Sequence, residues 1–134
     1  MIVIACIDNN RGLMFNNRRQ SRDRVVTQKI VDMANSQLWM NHYSYNMFEK
    51  MGHKKINIDD AFLNEAAEGD YCFIENCHLK QFDKYIEKII LFKWNRLYPA
   101  DLYFDIELSD WTLSQSQEFT GSSHELITME VYER

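Results

Sequence analysis

The chain has 134 residues, 46% of them hydrophobic and 13% aromatic, which is too apolar for a disordered segment and enough for one buried core. Its formal charge of −5 at pH 7 counts against general nucleic-acid binding, which relies on neutralising phosphates. One proline and four glycines imply few, short loops, and a single domain is expected over 1–134. Ile2 to Asp8 is an apolar run of strand length. It lacks leading basic residues, so it reads as a buried strand and not a signal peptide or membrane span. Asn9-Asn-Arg-Gly12 is turn chemistry. Ser21 is placed to cap a helix over Arg22 to Asn35, with Val26, Ile30, Met33 and Ala34 on one face. Leu38 to Met40 reads as a short strand and Ser44 to Met51 as a short helix closed by Gly52. A brief strand is expected over Lys54 to Asn57, and a helix from Asp59 to about Glu68 with Gly69 as its stop.

Tyr71 to Glu75 is the next buried strand, His78 to Tyr85 a short helix and Glu87 to Asn95 a long strand. Trp111 to Phe119 and Glu125 to Glu133 alternate as two further strands around Thr120-Gly-Ser-Ser123. Strands alternating with helices, then two closing strands, predict a layered α/β fold with a mostly parallel sheet and an antiparallel C-terminal strand. The odd count of three cysteines, Cys6, Cys72 and Cys77, in apolar surroundings implies free thiols and a cytoplasmic protein.

The order of these elements resembles dihydrofolate reductase. Ile4-Ala-Cys-Ile-Asp-Asn-Asn looks like its first strand and exit, and Leu13-Met-Phe-Asn-Asn like its mobile loop. Leu38-Trp-Met-Asn-His-Tyr-Ser-Tyr resembles the turn that grips the cofactor. Phe73-Ile-Glu-Asn-Cys-His-Leu resembles the strand and glycine pair beneath the pyrophosphate. Tyr103-Phe-Asp-Ile-Glu-Leu-Ser-Asp-Trp and Met129-Glu-Val-Tyr-Glu-Arg resemble the C-terminal strands. The resemblance implies a three-layer dihydrofolate-reductase-like fold with a mixed sheet of about seven strands, one fewer than the family usually has.

The departures are chemical. Where the family has Gly-Arg this chain has Asn41-His42, with Ser44 retained, and where the family has Gly-Gly it has Glu75-Asn76. A largely neutral histidine replaces a permanent guanidinium, and a carboxylate stands where backbone must approach phosphate. The chain is also shortened between Gly52 and Asp59, where the resemblance places the cofactor's adenosine end. NADPH binding is therefore not expected. Met14 replaces the mobile-loop glycine, and Gln20-Ser21 stands where Pro-Trp is usual.

The family's acidic residue in the first helix, which faces the pterin, corresponds to Asp23. Its spacing from Val26 and Ile30 puts it on their apolar face, where it serves either as a proton relay or as a helix-dipole partner flanked by Arg22 and Arg24. Four arginines and one aspartate fall within Arg18 to Arg24, making either an anion site or a solvated basic loop. Of these, Arg18, Arg19 and Arg22 are expected to face solvent. His42, His53, His78 and His124 lack metal-ligand spacing, so no metal is expected. Gly121-Ser-Ser-His-Glu125 lacks a nucleophile elbow and reads as a hairpin turn.

Lys93 to Pro99 offers a self-association or partner surface, or else core packing. The expected function is a catalytically degenerate binding module. Its ligand site comprises Arg18, Arg19, Arg22, His42, Ser44, Glu75 and Asn76, and its partner is an anionic small molecule, an acidic protein or a second copy. The alternative is a pterin- or nucleotide-using reductase with rebuilt cofactor contacts and Asp23 as its catalytic residue.

Overall fold

The computed structural model describes residues 1–51 and 55–134. Its centre is β1 (Ile2–Ile7), whose uninterrupted apolar run is buried between two parallel neighbours, β6 (Tyr71–Phe73) and β7 (Lys88–Lys93). Beyond β6 lie β4 (Leu38–Met40) and the edge strand β5 (Asn57–Ile58), both parallel to their neighbours. Beyond β7 lies β10 (Ile127–Glu133), antiparallel to β7, and then the edge strand β9 (Thr112–Phe119), antiparallel to β10. The seven-stranded order is β5-β4-β6-β1-β7-β10-β9. This is the mixed sheet expected, with the four early strands adjacent and the chain closing antiparallel.

Strand alternation splits the core into two layers. Val3, Ala5 and Ile7 face one way, toward Phe62, Leu79 and Trp111. Ile2 and Ile4 face the other, toward Val26, Ile30 and Val31 of α1 (Arg24–Met33). The helix starts two residues later than its sequence suggests. Its N-cap is Asp23, whose carboxylate accepts from the Val25 amide, while the Ser21 hydroxyl is engaged elsewhere.

The stretch read as a mobile loop is instead a second, three-stranded sheet of order β3-β2-β8: β2 (Gly12–Phe15), β3 (Arg18–Arg19) and β8 (Leu102–Tyr103). Asn16 and Asn17 join β2 to β3 with φ of 50° and 60°, the two positive values that a two-residue type I′ turn demands.

The helix expected over Ser44 to Met51 divides into α2 (His42–Tyr45) and a 3₁₀ turn over Glu49–Met51. The Asp59 helix shrinks to α3 (Phe62–Glu65), with Asp59 turning the chain through a bond from the Ala61 amide. The segment after His78 is a 3₁₀ turn, Lys80–Tyr85. The expected stop at Gly52, His53, and the start of the strand at Lys54 lie outside the described residues. Among the described residues no helix is long and apolar enough to cross a membrane.

Candidate functional site

Two polar clusters flank the hairpin β2–β3 and the segment that follows it. The first lies over the carboxyl ends of β4 and β6. Arg19 forks onto Glu75, with Nε donating to Oε2 at 2.8 Å and Nη2 to Oε1 at 3.0 Å. Its guanidinium lies 4.5 Å from the centre of the Tyr43 ring, whose hydroxyl accepts from the Arg19 amide at 2.9 Å. Ser44 Oγ donates to Glu75 Oε1 at 2.9 Å. Asn41 Nδ2 donates to Asn76 Oδ1 at 2.8 Å, while Asn41 Oδ1 caps α2 by accepting from the Ser44 amide.

The expectation that Arg19 faces solvent is corrected here. Its side chain is 20% exposed and Glu75's is 8%, a bidentate pair closed within the fold. Arg18, Arg22 and Arg24 are exposed. His42 stands apart, exposed and paired with Asp60 at 3.1 Å.

The second cluster joins the start of α1 to the loop between β9 and β10. Asp23 is buried at 3% exposure. Its Oδ1 accepts from the Val25 amide at 2.9 Å, the Ser122 amide at 3.0 Å and the Ser122 hydroxyl at 3.2 Å. Its Oδ2 accepts from the Ser123 amide at 2.9 Å, the Ser123 hydroxyl at 3.2 Å and His124 Nδ1 at 2.9 Å. Burial pushes the Asp23 carboxyl upward. The bonds from the Ser122 and Ser123 amides, the His124 ring and the Val25 amide outweigh it and hold the group well below the usual carboxylate range.

Gly121 is required at this junction. A Cβ there would overlap the Asp23 carboxylate and approach Ile127 Cδ1 to 2.7 Å. The other ring nitrogen of His124, Nε2, lies 2.9 Å from Ser21 Oγ. The imidazole stacks on Trp94 with centroids 4.6 Å apart. Ser21 is half-buried, whereas His124 and Asp23 are buried.

Beside this cluster a cavity of about 530 Å³ is lined by Arg22, Arg24 and Lys50, by Met47 and Met51, and by the Ser122–Ser123 loop. A second cavity of about 470 Å³ is lined by Phe15, Arg18, Arg19, Gln20 and Tyr98.

Of the residues expected to form one site, Ser44, Glu75, Asn76 and Arg19 do meet, in a self-contained network. Arg18 and Arg22 line separate cavities, and Asp23 belongs to the second cluster. The pairing of Ser21 and Asp23 with His124 is missing from the sequence reading. The available signal is a histidine after Gly-Ser-Ser together with an aspartate on an apolar helix face. Among the described residues, no group of three or more His, Cys, Asp or Glu is placed to hold a metal ion.

No protein-family model matches the chain, and no curated protein matches it. Among solved structures it is similar to the dihydrofolate reductase from Enterococcus faecalis complexed with NADP(H) and RAB-propyl. The TM-score is 0.70 at 9% identity, covering 99% of this chain and 95% of that one. The fold is therefore that of dihydrofolate reductase: a three-layer α/β architecture with a seven-stranded mixed central sheet and a small antiparallel sheet beside it.

Proposed function

We propose that this is a dihydrofolate-reductase-fold binding protein, degenerate for hydride transfer, whose ligand is a small anionic molecule. The observation that carries the reading is the 530 Å³ cavity, where Arg22, Arg24 and Lys50 converge on a protein of net charge −5. Ser122 and Ser123 line the same space together with Asp23, whose carboxylate their amides and hydroxyls already engage, and Met47 and Met51 give it an apolar wall. A ligand with one or more acidic groups and a flat apolar body matches that lining. An acidic protein is the alternative occupant. Arg18 forms a separate cationic edge.

NADPH does not fit as it does in reductases. The residues that stand for the phosphate-facing glycines, Glu75 and Asn76, are bonded to Ser44 and Asn41, the opposite wall of that cradle. A phosphate entering there meets a carboxylate already neutralised by Arg19. The reductase alternative relies on Asp23, whose oxygens are filled by bonds from Val25, Ser122, Ser123 and His124, which favours a structural role for it. We place the protein in the cytoplasm, where the free thiols of Cys6, Cys72 and Cys77 stay reduced. Burial pushes the Cys72 thiol up to about 12 and the Cys77 thiol up to about 11, suiting unreactive packing groups.

Thermal unfolding with folic acid, ATP, pyrophosphate and NADPH tests the reading. A ligand present at 100 times its dissociation constant adds about 2.7 kcal/mol of stability. Folic acid or ATP should raise the melting temperature, NADPH should not, and Arg22→Glu with Lys50→Glu should abolish the rise. Those surface changes should alter intrinsic stability by less than about 0.5 kcal/mol. Stabilisation by NADPH with oxidation on adding dihydrofolate, or indifference to every anion, overturns the proposal.

A further inference from the structure

We propose that Ser21, His124 and Asp23 form a nucleophilic relay that cleaves carboxylic esters, an activity distinct from ligand binding in the cavity. The distances are those of a working relay: 2.9 Å from Asp23 Oδ2 to His124 Nδ1 and 2.9 Å from His124 Nε2 to Ser21 Oγ. The tautomer follows from the partners. An ionised carboxylate only accepts, so His124 Nδ1 carries the hydrogen and donates to Asp23. In the neutral ring Nε2 is then an acceptor, and the Ser21 hydroxyl is the donor facing it.

The supporting contacts fix this geometry. Ser122 and Ser123 hold Asp23 through their amides, and Trp94 stacks on the imidazole. Burial decreases along the relay in the sense a nucleophile needs. Asp23 and His124 are enclosed and Ser21 is half-buried, and its chain neighbours Gln20 and Arg22 each line a cavity. Ser123 Oγ lies 3.2 Å from Nδ1, the nitrogen already committed to Asp23, so it is not placed as the nucleophile. The Arg22 amide, next after Ser21, donates no hydrogen bond among the described residues. That leaves one backbone donor beside Ser21 uncommitted.

The chemistry balances with water as the only co-reactant. Ser21 Oγ attacks the ester carbonyl carbon as its proton passes to His124 Nε2. The carbon–alkoxy bond then breaks, and the alcohol leaves with that proton. Water gives a proton to Nε2 and attacks the acyl-serine carbonyl. The acyl–Oγ bond breaks, Ser21 regains the proton and a carboxylic acid is released. Exposed Arg18 and Arg22 flank Ser21, so the favoured esters carry a second, anionic group. This preference rests on the cavity reading above; the relay does not.

The full chain should be treated with a fluorophosphonate probe, the modified peptide identified by mass spectrometry, and hydrolysis of p-nitrophenyl acetate and p-nitrophenyl hemisuccinate measured. Label is expected on Ser21, with turnover reduced at least ~100-fold in Ser21→Ala and in His124→Gln. Ser21→Ala removes one hydroxyl of a half-buried residue and keeps the test interpretable if His124→Gln fails to fold. Labelling elsewhere only, or a Ser21→Ala variant as active as the parent, overturns the relay. Equal KM values for the two esters, unchanged by Arg22→Glu, overturn the anionic substrate class.

Discussion

Replacing Asp23 with asparagine isolates one half of the junction between α1 and the β9–β10 loop. Asparagine serves as an N-cap about as well as aspartate, so its oxygen can keep the Val25 and Ser122 amides that Oδ1 now accepts. Its NH₂ must then face the Ser123 amide and His124 Nδ1, both donors, each 2.9 Å from the present Oδ2. Two hydrogen bonds to a charge are lost, at about 1.5–3 kcal/mol each, and the expected cost is ~3–5 kcal/mol. At this chain length 1 kcal/mol moves the melting temperature by about 4 °C, so the drop is on the order of 12–20 °C.

The pH dependence has a fixed sign. The folded carboxyl titrates below the unfolded value of about 3.9, so its contribution is complete above that pH and is lost as pH falls beneath it. Urea unfolding of parent and Asp23→Asn should therefore show a gap that is constant from about pH 7 to pH 5 and narrows toward about pH 2. A gap below ~1 kcal/mol at neutral pH, or one unchanged in acid, would refute the assignment of an ionised, fully bonded Asp23.

Gly121→Ala should destabilise the same junction by ~1–3 kcal/mol, because its Cβ overlaps the Asp23 carboxylate. An unchanged urea midpoint would show that the loop has room the structure does not give it. Glu75→Gln should cost ~2–3 kcal/mol, because a largely enclosed guanidinium loses its charged partner. The Ser44 bond can survive on the amide oxygen, so restoring neutrality with Arg19→Met should recover part of the loss in a double-mutant cycle.

The strands that make the fold were legible because their burial is written locally. β1 and β7 are continuous apolar runs paired in parallel and covered on both faces, and β10 alternates in burial along its length. The second sheet was not, since β3 and β8 have two residues each and β2 four, too few for a period. Its usable sign was Asn16-Asn17, a pair that tolerates positive φ. Helix starts moved for a similar reason. Ser21 and Asp23 are both good caps in isolation, and His124, far along the chain, takes the serine and leaves Asp23 to the helix. The chemistry of the second cluster is thus a tertiary fact. Each member has an ordinary local explanation, and only the fold supplies the 2.9 Å contacts.

The two clusters are mechanically one system. Open α/β sheets bind ligands in the crevice beyond the carboxyl ends of their strands. Here that crevice is spanned by protein. Arg19 reaches Glu75 after β6 and Tyr43 in α2 after β4, and Gln20 donates to Asp8 at the end of β1 at 3.0 Å. Asp8 also accepts from the Gly12 and Tyr98 amides, fixing both sides of the hairpin. Residues on both sides of Ser21 are therefore held: Arg19 and Gln20 to the strand ends before it, and Asp23 to the β9–β10 loop after it. Ser21 has little freedom to leave His124, because its neighbours are held by charge-assisted or buried hydrogen bonds. Glu75, which stands in the crevice after β6, is the partner that holds Arg19 ahead of Ser21. Filling the crevice and positioning the Ser21 hydroxyl are therefore consequences of the same contacts.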